Sequence, residues 1–215
     1  MSILSLTYVT SPRLARSDAL LAAVLSLWLG LALALSLSGV LADASAVSVW
    51  GFPLLIFGPV ALFALLYRMS PALQRWALGL DRRLLIGLHV MRTVGLGFVF
   101  LSFYDILPAA FAYPAGLGDA VAAVWALWLS FSLARGAPVS DRAIARWNWL
   151  GIGDFVIAVG IGLALRSAWL GGAVPTDPMG SFPLALIPLF GVPILAISHL
   201  IIALQLRRSI SRTTP

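Results

Sequence analysis

The chain has 215 residues, 61% of them hydrophobic and only 10% charged. Soluble domains carry about 25% charged residues, so the composition excludes a soluble enzyme, a disordered tail and a nucleic-acid-binding module. The charges are fourteen Arg and eight Asp, with no Lys, no Glu and no Cys. Disulfides, thiolate metal ligands and Cys nucleophiles are thereby excluded.

Roughly 20 apolar residues in a helix cross a bilayer, and a helix satisfies its own backbone in lipid. Six runs are long enough: about 19–41, 49–67, 84–106, 115–134, 148–168 and 182–206. The alternating polarity of a membrane barrel is absent. The expected fold is all-α: six transmembrane helices in one bundle, forming a single integral membrane domain. The first run follows Arg13 and Arg16 and ends at Ala42-Asp43-Ala44-Ser45-Ala46, which offers A-x-A cleavage sites. It exceeds the roughly 7–15 residues of a signal-peptide core, so a retained first span is expected.

Pro53 and Pro59 predict kinks in the second span, and Pro188 and Pro193 in the sixth. Between spans two and three, Ser70-Pro71 reads as an N-cap followed by proline at the first helical position. Leu73, Trp76, Ala77 and Leu80 then recur at helical spacing. This predicts a short amphipathic helix over about 71–81, lying on the membrane surface. Ser140-Asp141-Arg142 marks the start of the helix that becomes span five.

Twelve of the fourteen arginines fall before span one, between spans two and three, between spans four and five, or after span six. That one-sidedness predicts cytoplasmic N- and C-termini, in the inner (plasma) membrane of a bacterium or archaeon. Arg166 lies on the other side and Arg92 within a span. Asp43, Asp105 and Asp177 fall on the outer side. Trp50 and Trp169 fit an outer aromatic belt; Trp76, Trp147 and Trp149 fit an inner one. Gly116, Gly118, Gly151, Gly153, Gly160 and Gly162 allow close helix approach. Besides the lipid bilayer, the expected partners are a second copy or a membrane-complex subunit meeting such Gly/Ala-rich faces.

An ionisable residue at the centre of a span costs about 2.5–3.5 kcal/mol or more. His89 and Arg92 on span three, Asp154 on span five and His199 on span six all count to roughly 9–13 Å of depth at 1.5 Å per residue. These four are the expected binding or proton-relay layer, with Arg92 paired to Asp154 and a histidine as the titrating group. Asp105 and Asp119 are expected in a second, outer polar layer, joined by a turn containing Pro108 and Pro114. The only two histidines of the chain also fit a bis-His haem b site. No H-x-x-x-H spacing supports a metal, so no metal site is expected and the cofactor is left open. Ser198 and His199 are adjacent, so their side chains diverge by about 100° and form no Ser–His pair.

Residues 116–124 (Gly-Leu-Gly-Asp-Ala-Val-Ala-Ala-Val) and 151–159 (Gly-Ile-Gly-Asp-Phe-Val-Ile-Ala-Val) agree at six of nine positions. Two related helices in opposite senses are a feature of transporter repeats. Tyr104-Asp105 with Gly116-Leu117-Gly118-Asp119 also resembles the signature of presenilin-like intramembrane aspartyl proteases. Gly151 to Asp154 is similar to their second motif, and Pro183-Leu184-Ala185-Leu186 to their Pro-Ala-Leu segment. That resemblance implies two carboxylates sharing a proton: Asp105 with Asp154 by the family's order, or Asp105 with Asp119 by depth. The leading expectation is small-solute or proton-linked transport or binding. The alternatives are an accessory subunit, a bis-His haem protein and an intramembrane aspartyl protease.

Overall fold

The computed structural model describes residues 12–42, 46–166 and 176–213. The described residues are helical or in short turns, with no strand among them. The helices are α1 (Pro12–Ser38), α2 (Ala46–Met69), α3 (Pro71–Gly79), α4 (Arg82–Leu88), α5 (Leu96–Ser102), α6 (Ala109–Ala134), α7 (Asp141–Arg166) and α8 (Val192–Thr213). A 3-10 segment, His89–Gly95, joins α4 to α5, and a π turn, Ile187–Gly191, leads into α8. Six stretches are long and apolar enough to cross a membrane, as the hydrophobic runs require. The protein is a helical membrane protein.

Local chemistry explains the boundaries. The Ser70 side chain accepts a hydrogen bond from Leu73 N at 3.2 Å, with Pro71 in the first turn of α3. Helix α3 stops at Gly79, two residues short of the expected end, because Leu80 is extended and Asp81 instead caps α4. Asp81 accepts from Arg83 N at 2.8 Å. Ser140 caps the start of α7 by accepting from Ala143 N at 3.2 Å. Pro193 has no N–H, so Leu189 O loses its helical donor. The indole of Trp28 on α1 supplies the missing bond at 3.1 Å and ties α1 to this irregular turn.

Three expectations are corrected here. Span four begins at Ala109, six residues before the expected 115, because Pro108 is extended and its carbonyl accepts from Phe111 N and Ala112 N, both at 2.9 Å. Pro114, expected in a turn, lies inside α6. Trp147 does not join an inner aromatic belt. It is fully buried and donates to Ala122 O at 2.9 Å, whereas Trp149 and Trp50 are exposed. Asp43 and Trp169 lie outside the described residues.

Three apolar clusters hold the bundle. At the arginine-rich end, Ile86, Leu129, Ile144, Trp147 and Ile202 unite α4, α6, α7 and α8. At the other end, one cluster joins α1, α2 and the π turn through Ala32, Phe52, Ile56 and Leu189. A second joins α5 to α6 through Phe98, Phe111 and Ala115. The buried polar side chains of His89, Arg92, Asn148, Ser198 and His199 lie between the first cluster and the other two.

Candidate functional site

A 3-10 helix has three residues per turn, so side chains three apart eclipse. The segment His89–Gly95 therefore stacks His89 and Arg92 in one row, and both are buried. Arg92 is the hub. Its Nε donates to Asp119 Oδ1 at 2.7 Å on α6, and its Nη2 donates to Asp154 Oδ2 on α7. Its Nη1 reaches Gly151 O and His199 Nε2, each at 3.4 Å. The guanidinium carbon lies 4.0 Å from the centroid of the Phe155 ring. The Arg92 side chain is 1% exposed, against 16% for Asp119 and 9% for Asp154.

The histidines extend this hub. His199 Nδ1 lies 2.8 Å from Asn148 Oδ1. An amide oxygen only accepts, so Nδ1 carries the proton and the Nε2 lone pair faces Arg92. His89 Nε2 lies 2.7 Å from Ser198 Oγ. The Ser198 hydroxyl also reaches Leu195 O at 2.8 Å. It has one proton, and giving that proton to the carbonyl lets His89 Nε2–H donate to Ser198. His89 Nδ1 then presents a buried lone pair with no hydrogen-bond partner among the described residues. The two imidazole rings lie with centroids 4.0 Å apart, tilted by 42°.

The glycines of the repeated motif make this crowding feasible. A Cβ on Gly118 would lie 2.7 Å from Asp154 Cγ. One on Gly151 would lie 2.5 Å from His199 Cε1 and 3.1 Å from Arg92 Nη1. One on Gly95 would lie 2.6 Å from Asp119 Cβ, and one on Gly116 would lie 2.6 Å from Gly95 O. The two Gly-x-Gly-Asp segments thus place an aspartate each and clear the space around them. Gly153 and Gly160, expected to pack closely, face open space.

The structure brings together His89, Arg92, Asp154 and His199. It also moves Asp119 from the expected outer layer into this one. The cause is the early start of α6: Asp119 lies about 15 Å inside the helix instead of at its mouth. Asp105 stays apart. It is exposed and holds φ 53° in the turn after α5. Ile106 N bonds Leu101 O at 3.1 Å and Asp105 N bonds Ser102 O at 3.3 Å. This is the bond pattern of a Schellman cap with Asp105 in its left-handed position, a structural role. Asp105 is exposed in that turn, whereas Asp119 and Asp154 are held on the buried Arg92, so neither expected dyad with Asp105 is formed. The two carboxylates that do converge, Asp119 and Asp154, share the Arg92 guanidinium, one on Nε and one on Nη2. With centroids 4.0 Å apart, the two imidazoles leave no gap for a haem ring.

Four members of the site region were not legible in the sequence. Asn148 and Ser198 are uncharged, and short polar side chains give no depth signal. Trp147, whose ring centroid is 5.1 Å from that of His199, looked like an interfacial residue. Arg166, at the end of α7, was legible only as a charge on the outer side. It is buried instead: it donates to Leu41 O, lies 3.6 Å from Asp177, and packs on the Phe52 ring at 4.5 Å.

A cavity of about 70 Å³ is lined by Asp119 and Phe155 from the first centre, Arg166 and Thr176 from the region of the second, and apolar side chains that include Phe98 and Phe111. Asp154 and Arg166 are twelve residues apart on α7, about 18 Å. On the opposite side of the layer, Ile86, Leu129, Trp147 and Ile202 are packed without exposure.

A family model described as "Domain of unknown function (DUF8737)" matches residues 49–207, a range that holds every member of both arginine centres except Leu41. No curated protein and no solved structure matches.

Proposed function

The chain belongs to the DUF8737 family, and we propose that it binds and moves a small solute or protons through the layer of His89, Arg92, Asp119, Asp154 and His199. The observation that carries this reading is a charge imbalance. Two carboxylates share one guanidinium, so the buried set sums to −1 when all three are ionised. A buried surplus charge is expensive, and a proton or a small cation relieves it. A purely structural lock needs one carboxylate only.

The surroundings support the same reading. Asp119 borders the same cavity as Arg166, while the Trp147 cluster on the other side is packed without exposure. Such an asymmetry suits one half of an alternating-access cycle. The unpartnered Nδ1 of His89 offers the next proton acceptor beyond His199, toward the closed side. In this reading the arginine-rich end is cytoplasmic, the membrane is the inner (plasma) membrane, and the bilayer is the immediate partner. The open Gly153 and Gly160 face of α7 is where a second copy or another membrane subunit would pack.

Proteoliposomes loaded with a pH-sensitive dye test the proposal. With a potassium gradient and valinomycin, vesicles holding the protein should acidify or alkalinise faster than protein-free vesicles. Changing Asp119→Asn and Asp154→Asn together should remove that difference. Rates equal to protein-free vesicles, with and without added solutes such as small amines, would refute transport.

A further inference from the structure

We propose that the hollow between α3 and the last turns of α8 binds the phosphate group of an anionic phospholipid. This site stands apart from the buried layer and does not depend on its function. The hollow has a volume of about 470 Å³ and is lined by Arg75, Arg82, Arg208, Gln205 and Ser209 with the backbone around Gly79. Arg82 Nη1 binds Asp141 Oδ1 at 2.7 Å, and Ser209 Oγ donates to Asp141 Oδ2 at 2.6 Å, so this carboxylate is engaged from two sides. Asp81, at the start of α4, is engaged by Arg83 at 3.0 Å. Arg75 forms no ion pair among the described residues.

The floor of the hollow is built. Gln205 is buried and donates through Nε2 to Ala77 O at 3.3 Å and Leu80 O at 3.0 Å, closing the free carbonyl end of α3. Its Oε1 accepts from Arg82 Nε at 3.4 Å. Arg82 is therefore held by two side chains before any ligand arrives, which lowers the ordering cost of binding. Guanidinium forks match phosphate oxygens, and basic pockets between membrane helices hold acidic headgroups.

Two apolar side chains favour a lipid over a soluble phosphate. Met69, just before α3, and Leu84, on α4, are each 71% exposed. They put an apolar surface beside the elements that carry the basic lining. A molecule with a phosphate head and acyl tails satisfies both.

Native mass spectrometry of the full chain in neutral detergent tests this, with phosphatidylglycerol and phosphatidylcholine added together. Phosphatidylglycerol should be retained preferentially. Each surface Arg contributes about 1 kcal/mol toward an anionic lipid, about fivefold in affinity. R75Q/R208Q should therefore weaken phosphatidylglycerol retention by about 25-fold, while R75K/R208K should keep most of it. Both residues are exposed, so neither change touches the core. A salt titration of the unaltered chain gives an independent check: phosphatidylglycerol retention should fall with ionic strength and phosphatidylcholine retention should not. Equal retention of the two lipids, or retention unchanged in R75Q/R208Q, overturns the proposal. Displacement by an equal concentration of inorganic phosphate gives the site to a soluble phosphate and overturns the lipid assignment.

Discussion

Arg92 and Arg166 are both buried arginines under an aromatic ring, yet their surroundings differ in kind. Among the described residues, Arg166 meets the neutral carbonyl of Leu41 and the carboxylate of Asp177, whose side chain is 32% exposed. Arg92 meets two carboxylates, a histidine lone pair and a carbonyl, and its two carboxylate partners are 16% and 9% exposed. The first arrangement satisfies a cation at the end of a helix. The second stores one more negative charge than positive. In the proposed reading, the balance of charge around an arginine, and not its burial alone, marks the working centre.

The strongest way to break this comparison is to remove each cation. Arg92→Met strands two buried carboxylates, and breaking such a set costs about 3–5 kcal/mol. In detergent this should lower Tm by roughly 6–20 °C. The triple change R92M/D119N/D154N should recover most of the loss, because the stranded charges go with their partner. No recovery would mean that packing, not charge, explains the loss. Arg166→Met should cost less, about 1–3 kcal/mol, because it leaves mainly an unsatisfied carbonyl. A larger loss than for Arg92→Met would reverse the ranking of the two centres.

Glycine substitutions sharpen the same contrast on a smaller scale. Gly118→Ala drives a methyl into Asp154 and should cost about 1–3 kcal/mol through overpacking. Gly160→Ala meets nothing within 4 Å and should be neutral or stabilising by about 0.5–1 kcal/mol. Thermal melts of the two variants side by side check this. Similar melting points would remove the clearance role given to Gly118.

The smallest effect belongs to an Arg–Asp contact outside the membrane. The hydrogen bond from the Arg83 side chain, then that from the Arg83 backbone N–H, hold the Asp81 carboxyl below its ordinary 3.8. A lowered value means the contact stabilises fully above 3.8 and is lost as pH falls through the depressed value. The Tm gap between the native chain and Asp81→Asn should close on acidification below 3.8. A gap that widens instead would contradict the contact.

The sequence carried the bundle well, since six apolar runs and the position of the arginines need no tertiary information. It carried the meeting of His89, Arg92, Asp154 and His199 for the same reason: relative height follows from counting along a helix. It failed for Asp119 because the count began at the wrong residue. Two prolines looked like a turn, while Pro108 in fact serves as the helix cap. It also failed for Arg166, whose place at a helix end says nothing about whether a neighbouring carbonyl or ring will cover it. Asp105 shows the opposite error. A carboxylate beside a tyrosine resembled chemistry, and its backbone conformation explains it as a helix stop. The repeated Gly-x-Gly-Asp was visible at once, but its meaning was not: each glycine makes room for a group that another helix delivers.

Proton flux measured in matched vesicles for Asp119→Asn and Arg166→Met tests the central claim most directly. Asp119→Asn leaves Arg92 balanced by Asp154, so the fold should hold while flux drops to the protein-free rate. Arg166→Met should melt earlier yet keep its flux. Flux retained without Asp119, or lost with Arg166 alone, would contradict the assignment of function to the inner centre.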